Sequence, residues 1–216
     1  MQTKTSSLTR RLLLCGAIAG PLFIFVVLVQ DYTRPGFDPR LQLLSLLSLG
    51  DWGWVQILNF VLAGVLNLFY AVGLWRQLRP GHAGRSAPFF IGAYGVGLIA
   101  VGVFRTDPGN GFPPGAVAPS QPSWHGVIHA LGGLFIFLVL AAALVALGRF
   151  FLARHARWWV VCCLGSAVLL LALFFGGINS PVLMARFLRV ATLIGWMAAS
   201  VIAMKLLSVS DQTQPA

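Results

Sequence analysis

The sequence predicts an all-α integral membrane protein, a six-helix transmembrane bundle with both termini cytoplasmic and a short interfacial or re-entrant helix after the first span. Three observations predict it. Hydrophobic residues are 58% of the 216 and charged residues only 9%, with a mean hydropathy of +0.85. Soluble domains lie nearer roughly 45–50% apolar and about 25% charged. The apolar residues form six continuous runs, each close to the ~20 residues that cross a bilayer as a helix. Basic residues are dense in every second segment between runs, the positive-inside pattern. The composition excludes a soluble enzyme, a disordered chain and a disulfide scaffold.

The first span, 12–30, follows Arg10-Arg11. Its apolar run reaches Val29, too long for the core of a signal peptide. Leu14 before Cys15 departs from a lipoprotein site, so the helix is read as uncleaved and kinked at Pro21. Residues 31–53 carry the turn formers Pro35, Gly36 and Pro39, then an apolar stretch, 41–49, too short to span and read as an interfacial or re-entrant helix on the outer surface. The remaining spans are 54–75, 87–104, 124–147, 158–176 and 187–207. Continuous rather than alternating apolar runs favour helices over a barrel. Residues 1–11 form a cytoplasmic N-terminus and 208–216 a polar cytoplasmic tail.

Within the spans, Asn59 and Asn67 lie two turns apart and are read as interhelical hydrogen-bonding groups. Gly92, Ala93, Gly95 and Gly97 make a small-residue face for close packing of the third helix, and Gly132 and Gly133 do so on the fourth. Ser123 is a good N-cap for the fourth span.

Orientation follows from Lys and Arg. Ten basic residues (Lys4, Arg10, Arg11, Arg76, Arg79, Arg85, Arg149, Arg154, Arg157, Lys205) fall on one side and five (Arg34, Arg40, Arg105, Arg186, Arg189) on the other. The richer side is expected to be cytoplasmic. Trp residues flank the spans at both faces as an aromatic belt. The net charge of +10 is this topological surplus, scattered between apolar runs, and nucleic acid is not an expected partner. The preference for Arg over Lys, with abundant Ala and Gly, suggests a GC-rich bacterial genome and hence a bacterial inner (plasma) membrane. Cys15, Cys162 and Cys163 all lie inside apolar runs without a CxxC.

The carboxylates are informative. There is no Glu, and Asp31, Asp38, Asp51 and Asp107 all fall on the outer side, leaving only Asp211 inside. Two outer loops, 31–53 and 105–123, hold most of the polar chemistry. The fourth span opens Trp124-His125-Gly126-Val127-Ile128-His129. Histidines at i and i+4 differ by about 40° around a helix and share a face, the spacing that offers two imidazoles to one metal. The third and fourth spans form a hairpin, so Asp107 reaches a similar depth, as a third ligand or as the carboxylate that orients a histidine. The alternative is structural: Asp107 caps a turn at Pro108, His125 sits at the interface, and His129 bonds a neighbouring helix. His82 and His155 are expected on the cytoplasmic side. There is no phosphate-cradling loop, no nucleotide motif, no GxSxG and no internal repeat.

These loops resemble a known family. The segments Ser45-Leu-Leu-Ser-Leu-Gly50, Gly53-Trp54-Val-Gln56 with Asn59-Phe60 and Gly64, Phe104-Arg-Thr106-Asp107-Pro108 with Gly111 and Pro113-Pro114-Gly115, and His125-Gly126-x-x-His129 are similar to the bacterial six-span proteins grouped as domain of unknown function 998. The resemblance covers most of the chain. It implies the six-span architecture, no established activity, and Ser45, Asp107, His125 and His129 as the positions to watch. A weaker likeness of parts links the Ser, Asp and HxxxH set to alkaline ceramidase and adiponectin-receptor membrane hydrolases, which work around zinc. This chain departs from them in span number and in lacking a third outer histidine.

Two functions remain open. One is a hydrolase or transferase acting on a lipid or lipid-linked substrate at the outer leaflet. His125, His129 and Asp107 would hold a metal such as zinc, or act as acid and base without one. Ser45 would be nucleophile or orienting hydroxyl, and Arg34, Arg40 and Arg105 would bind a substrate phosphate or carboxylate. The other is a non-enzymatic protein that binds membrane lipid, a homo-oligomeric copy or a membrane-protein partner. An enzyme requires a pocket with Asp107 and both histidines in reach; a packing role requires those groups satisfied by neighbouring helices and no cavity.

Overall fold

The computed structural model describes residues 7–78, 82–180 and 182–211. Lys4, Arg79, Pro181 and most of both terminal segments lie outside them. Six helices form: α1 (Ser7–Thr33), α2 (Gly53–Gln77), α3 (His82–Val103), α4 (Trp124–Leu152), α5 (Arg157–Ile178) and α6 (Met184–Asp211). All six are long and apolar enough to cross a membrane, which makes the chain a multi-pass membrane protein. α1 runs on through Pro21 as helix. The stretch expected to form an interfacial or re-entrant helix contains a single 3-10 turn, Leu44–Ser48. It does not lie on the surface, because Leu46, Leu47 and Ser48 are buried against the bundle.

Each helix packs on its sequence neighbour, and α6 returns to α1. The six therefore form a closed ring. At the usual interhelical spacing of about 8–10 Å, a ring of six encloses a central space that side chains must fill. The end nearest the chain termini is filled by Leu13, Leu74, Leu144, Leu147 and Ile202, each essentially inaccessible. Halfway along, Phe23, Phe60, Tyr94 and Trp196 form an aromatic floor, with ring centroids 5.1 Å apart for Phe23–Trp196, 5.3 Å for Phe23–Phe60 and 5.5 Å for Tyr94–Trp196. Beyond this floor, toward the end opposite the termini (the far end), the ring is not filled.

A close crossing joins α2 and α3. A Cβ on Gly64 would lie 2.6 Å from the Gly95 carbonyl oxygen, and one on Gly95 would lie 2.7 Å from that of Gly64. Two glycines facing each other let the backbones meet, as small residues do in membrane bundles.

The two far-end loops are locked together. The Arg34 guanidinium donates to the Leu47 carbonyl at 3.2 Å and to the Leu49 carbonyl, and sits 5.6 Å from the Phe112 ring centroid. The Gln42 amide donates to the Asn110 carbonyl at 2.9 Å and the Asn110 amide to the Leu41 carbonyl at 3.0 Å. These bonds hold the 3-10 turn over the unfilled part of the ring.

Candidate functional site

The hairpin between α3 and α4 solves a capping problem. A helix leaves its last carbonyls and first amides without internal partners. Ser123 is the N-cap of α4, and its Oγ accepts from Gly126 N–H at 3.1 Å. Asp107, just beyond α3, accepts from Ser123 N–H at 2.8 Å and from the Ser123 hydroxyl at 2.5 Å. The hydroxyl bond from Ser123 holds the Asp107 carboxyl below the ordinary carboxylate range; burial opposes this and the Ser123 N–H adds to it.

The histidine pair completes the exchange. His129 Nδ1 lies 2.8 Å from the Phe104 carbonyl and 3.0 Å from that of Val101. His125 Nδ1 lies 3.1 Å from the Arg105 carbonyl and 2.9 Å from Ser123 Oγ. Carbonyls only accept, so both Nδ1 atoms carry the proton. The i, i+4 spacing thus places two N–H donors on carbonyls at and just beyond the end of α3, while Asp107 holds the N-cap of α4 in return. In each ring Nε2 is the nitrogen left for any other role.

Sequence reasoning gathers Asp107, His125 and His129 as metal ligands; the structure sets each against a hairpin partner. Among the described residues no group of three or more His, Cys, Asp or Glu is placed to hold a metal ion. Both Asp107 oxygens are taken up by Ser123, whereas each imidazole keeps Nε2 free beside its Nδ1 bond, as a metal-ligating histidine does.

A cavity of about 410 Å³ occupies the unfilled part of the ring. Its walls are mostly apolar, with Leu98, Phe137, Leu140, Leu170 and Phe174 among them, and its floor is the aromatic cluster. Its polar lining is Ser45, Tyr94, Thr106, His129, Arg189 and Thr192. Of the four expected catalytic residues, Ser45 and His129 line it and Asp107 and His125 do not. Ser45 belongs to the 3-10 turn and is half-buried, its carbonyl accepting from the Ser48 hydroxyl at 2.6 Å.

None of the three expected substrate-binding arginines lines the cavity. Arg34 is committed to carbonyls as described; burial lowers its affinity for the proton while nearby Asp51 supports the charge. Arg40 and Arg105 are exposed, and the Arg105 carbonyl is the one His125 reaches. The arginine on the cavity wall is Arg189 of α6, paired with Asp31 of α1 at 2.6 Å. Beside it, Gln30 donates to Gln56 at 2.7 Å, and Asn59 donates to Gln56 at 3.3 Å and to the Phe23 carbonyl at 3.2 Å. Asn59 thus bonds across helices as expected, whereas Asn67 bonds the Ala63 carbonyl of its own helix at 2.8 Å. Sequence reasoning left Arg189 unplaced. The signal available was charge: Asp31 and Arg189 end one apolar run and begin another on the same side, so ring closure brings them together.

A family model described as protein of unknown function (DUF998) matches residues 17–205. No curated protein and no solved structure matches the chain.

Proposed function

The chain belongs to the DUF998 family, whose description assigns no activity, and we propose that it is an intramembrane binding protein for a lipid-like amphiphile held in the central cavity. The observation that carries this is the cavity itself. About 410 Å³ falls in the range of ligand pockets, about 300–1,000 Å³, which are mostly apolar with a few convergent polar groups. The floor is aromatic and apolar, suited to an acyl or prenyl chain. The polar groups Ser45, Thr106, His129 and Arg189 gather toward the far end, suited to a headgroup near the membrane surface. The charge bias would place that end outside the cytoplasm.

Gly133 supplies the test. It lines the cavity, and a Cβ there would meet nothing within 4 Å. Gly133→Phe therefore starts from open space and adds bulk at the cavity wall. Lipids are extracted from wild type and variant purified in the same detergent and identified by mass spectrometry. The expected result is a stoichiometric amphiphile in wild type that is lost in the variant, with melting unchanged. Equal lipid in both, or none in wild type, overturns the reading.

A catalytic use of the site has one observation in its favour, that Ser45 and His129 share the cavity wall. It predicts that Ser45→Ala and His129→Gln keep the amphiphile but stop its conversion. Identical product formation by wild type and both variants removes that reading.

A further inference from the structure

We infer that Arg189 selects an anionic headgroup, so that the cavity takes an amphiphile bearing one carboxylate or phosphate. The inference rests on the binding reading above and names its ligand class. An apolar cavity inside a bilayer gains little over the lipid around it, because acyl chains are as apolar as the walls. Discrimination must come from polar groups. Arg189 is the charged group on the wall, whereas its counterion Asp31 is not part of the lining. Asp31 lies behind the guanidinium, its side chain 5% exposed against 17% for Arg189.

The pairing uses one corner of the guanidinium. Nη1 donates to Asp31 Oδ2 at 2.6 Å. Among the described residues, Nε and Nη2 are buried and without a hydrogen-bond partner, as is Asp31 Oδ1. Those two nitrogens form one edge of the fork, the edge that receives both oxygens of a carboxylate or phosphate side-on. A buried cation with an unfilled edge is costly, since each unmade bond leaves its desolvation uncompensated. An anion on that edge would restore both bonds while Asp31 keeps the third position.

Space exists for the turn this needs. Arg189, Phe23, Leu44 and Thr192 line both the central cavity and a crevice of about 30 Å³ at the seam of α1 and α6. Arg189 thus borders open space on two sides, and rotation of its outer torsions would bring the buried edge to the cavity. Thr192, one turn along at i+3, already donates its hydroxyl to the Leu188 carbonyl at 2.8 Å, so it offers an oxygen but no spare proton. The anion-binding donors come from the arginine.

The experiment measures binding of three probes to the full chain in neutral detergent: oleate, a lysophosphatidic acid and uncharged monoolein. Wild type is expected to bind at least one anion about tenfold or more tightly than monoolein, in keeping with a charge-assisted bidentate bond. Which anion shows the preference separates a carboxylate from a phosphate source. Arg189→Lys keeps the charge but loses the edge and should lose most of the preference. Arg189→Gln alone would strand a buried Asp31 carboxylate, so the double variant Asp31→Asn/Arg189→Gln, which removes both charges, is the folding-safe control. It should bind all three probes alike. If wild type binds the three equally and Gly133→Phe abolishes all three, the headgroup inference fails and the cavity reading stands. If no probe binds, or Gly133→Phe changes none of them, both fail.

Discussion

At the scale of single residues, the α3–α4 hairpin is held by a few side chains that each serve the end of the opposite helix. Ser123 carries two duties, capping Gly126 N–H and donating to Asp107. Ser123→Ala removes both and should destabilise the detergent-solubilised protein by about 1–2 kcal/mol, the upper range for a lost N-cap, measured by denaturant titration. Gly126→Ala is a sharper case. Alanine favours helix over glycine by about 1 kcal/mol, yet a Cβ at this position would run into the Asp107 carboxylate. Destabilisation is expected to win, and an unchanged or raised melting temperature would show that the carboxylate moves freely. The acid dependence has a definite sign. Asp107 has a folded pKa below its ordinary value, so its contribution is complete above the unfolded pKa of about 3.9 and disappears as pH falls through the lower folded value. The stability difference between wild type and Asp107→Asn should therefore be present near neutrality and shrink in acid. A gap that widens in acid contradicts the bonding described. The sequence made the shared depth of Asp107, His125 and His129 legible, because a hairpin and an i, i+4 spacing dictate it. It did not reveal that carbonyls at and just beyond the end of α3 are the acceptors. Periodicity gives the face a side chain occupies, not what stands opposite.

At the scale of elements, the bundle depends on where backbones touch. Gly64 and Gly95 oppose each other across α2 and α3. Gly95→Ala should destabilise the protein despite its gain in helix propensity. Gly165→Ala on α5, where a Cβ would meet nothing within 4 Å, should be neutral or stabilising. Thermal unfolding of the pair in one detergent checks this, and a like effect at both positions would deny the close crossing. The small-residue face of α3 was readable in advance because glycines in an apolar helix have few other uses. The 3-10 turn was only half readable. Its apolar pattern and its length exclude a span, but its burial depends on Arg34, which reaches across the loop to the Leu47 and Leu49 carbonyls. No local rule pairs an arginine with carbonyls so far along the chain. Arg34→Ala should free that turn and the Phe112 loop together, seen as faster amide hydrogen exchange in both. Faster exchange in one loop alone would mean that they are not coupled.

At the scale of the molecule, ring closure explains both the cavity and the Asp31–Arg189 pair. Sequential packing with α6 returning to α1 leaves a centre that no helix occupies. The sequence supplies enough large side chains to fill one half of it. The count of spans was legible from composition; the ring was not, because six antiparallel helices pack equally well in flatter arrangements by the same apolar pattern. The far end holds five of the fifteen basic residues. Two of them are engaged within the structure. Arg34 is buried on carbonyls and Arg189 is neutralised by Asp31. The positive-inside rule counts Lys and Arg whether or not they are paired, so the bias stays ten to five toward the side of the termini. The expected orientation is termini cytoplasmic and cavity mouth outside. Val117, 86% exposed in the far-end loop, tests it as Val117→Cys. A membrane-impermeant maleimide applied to intact cells or spheroplasts should label this variant, while Arg154→Cys, at the opposite end, should label only after lysis. The reverse pattern would turn the cavity toward the cytoplasm. It would also move the pool from which an anionic amphiphile is drawn to the inner leaflet, where the headgroup at Arg189 would still face the nearer aqueous side.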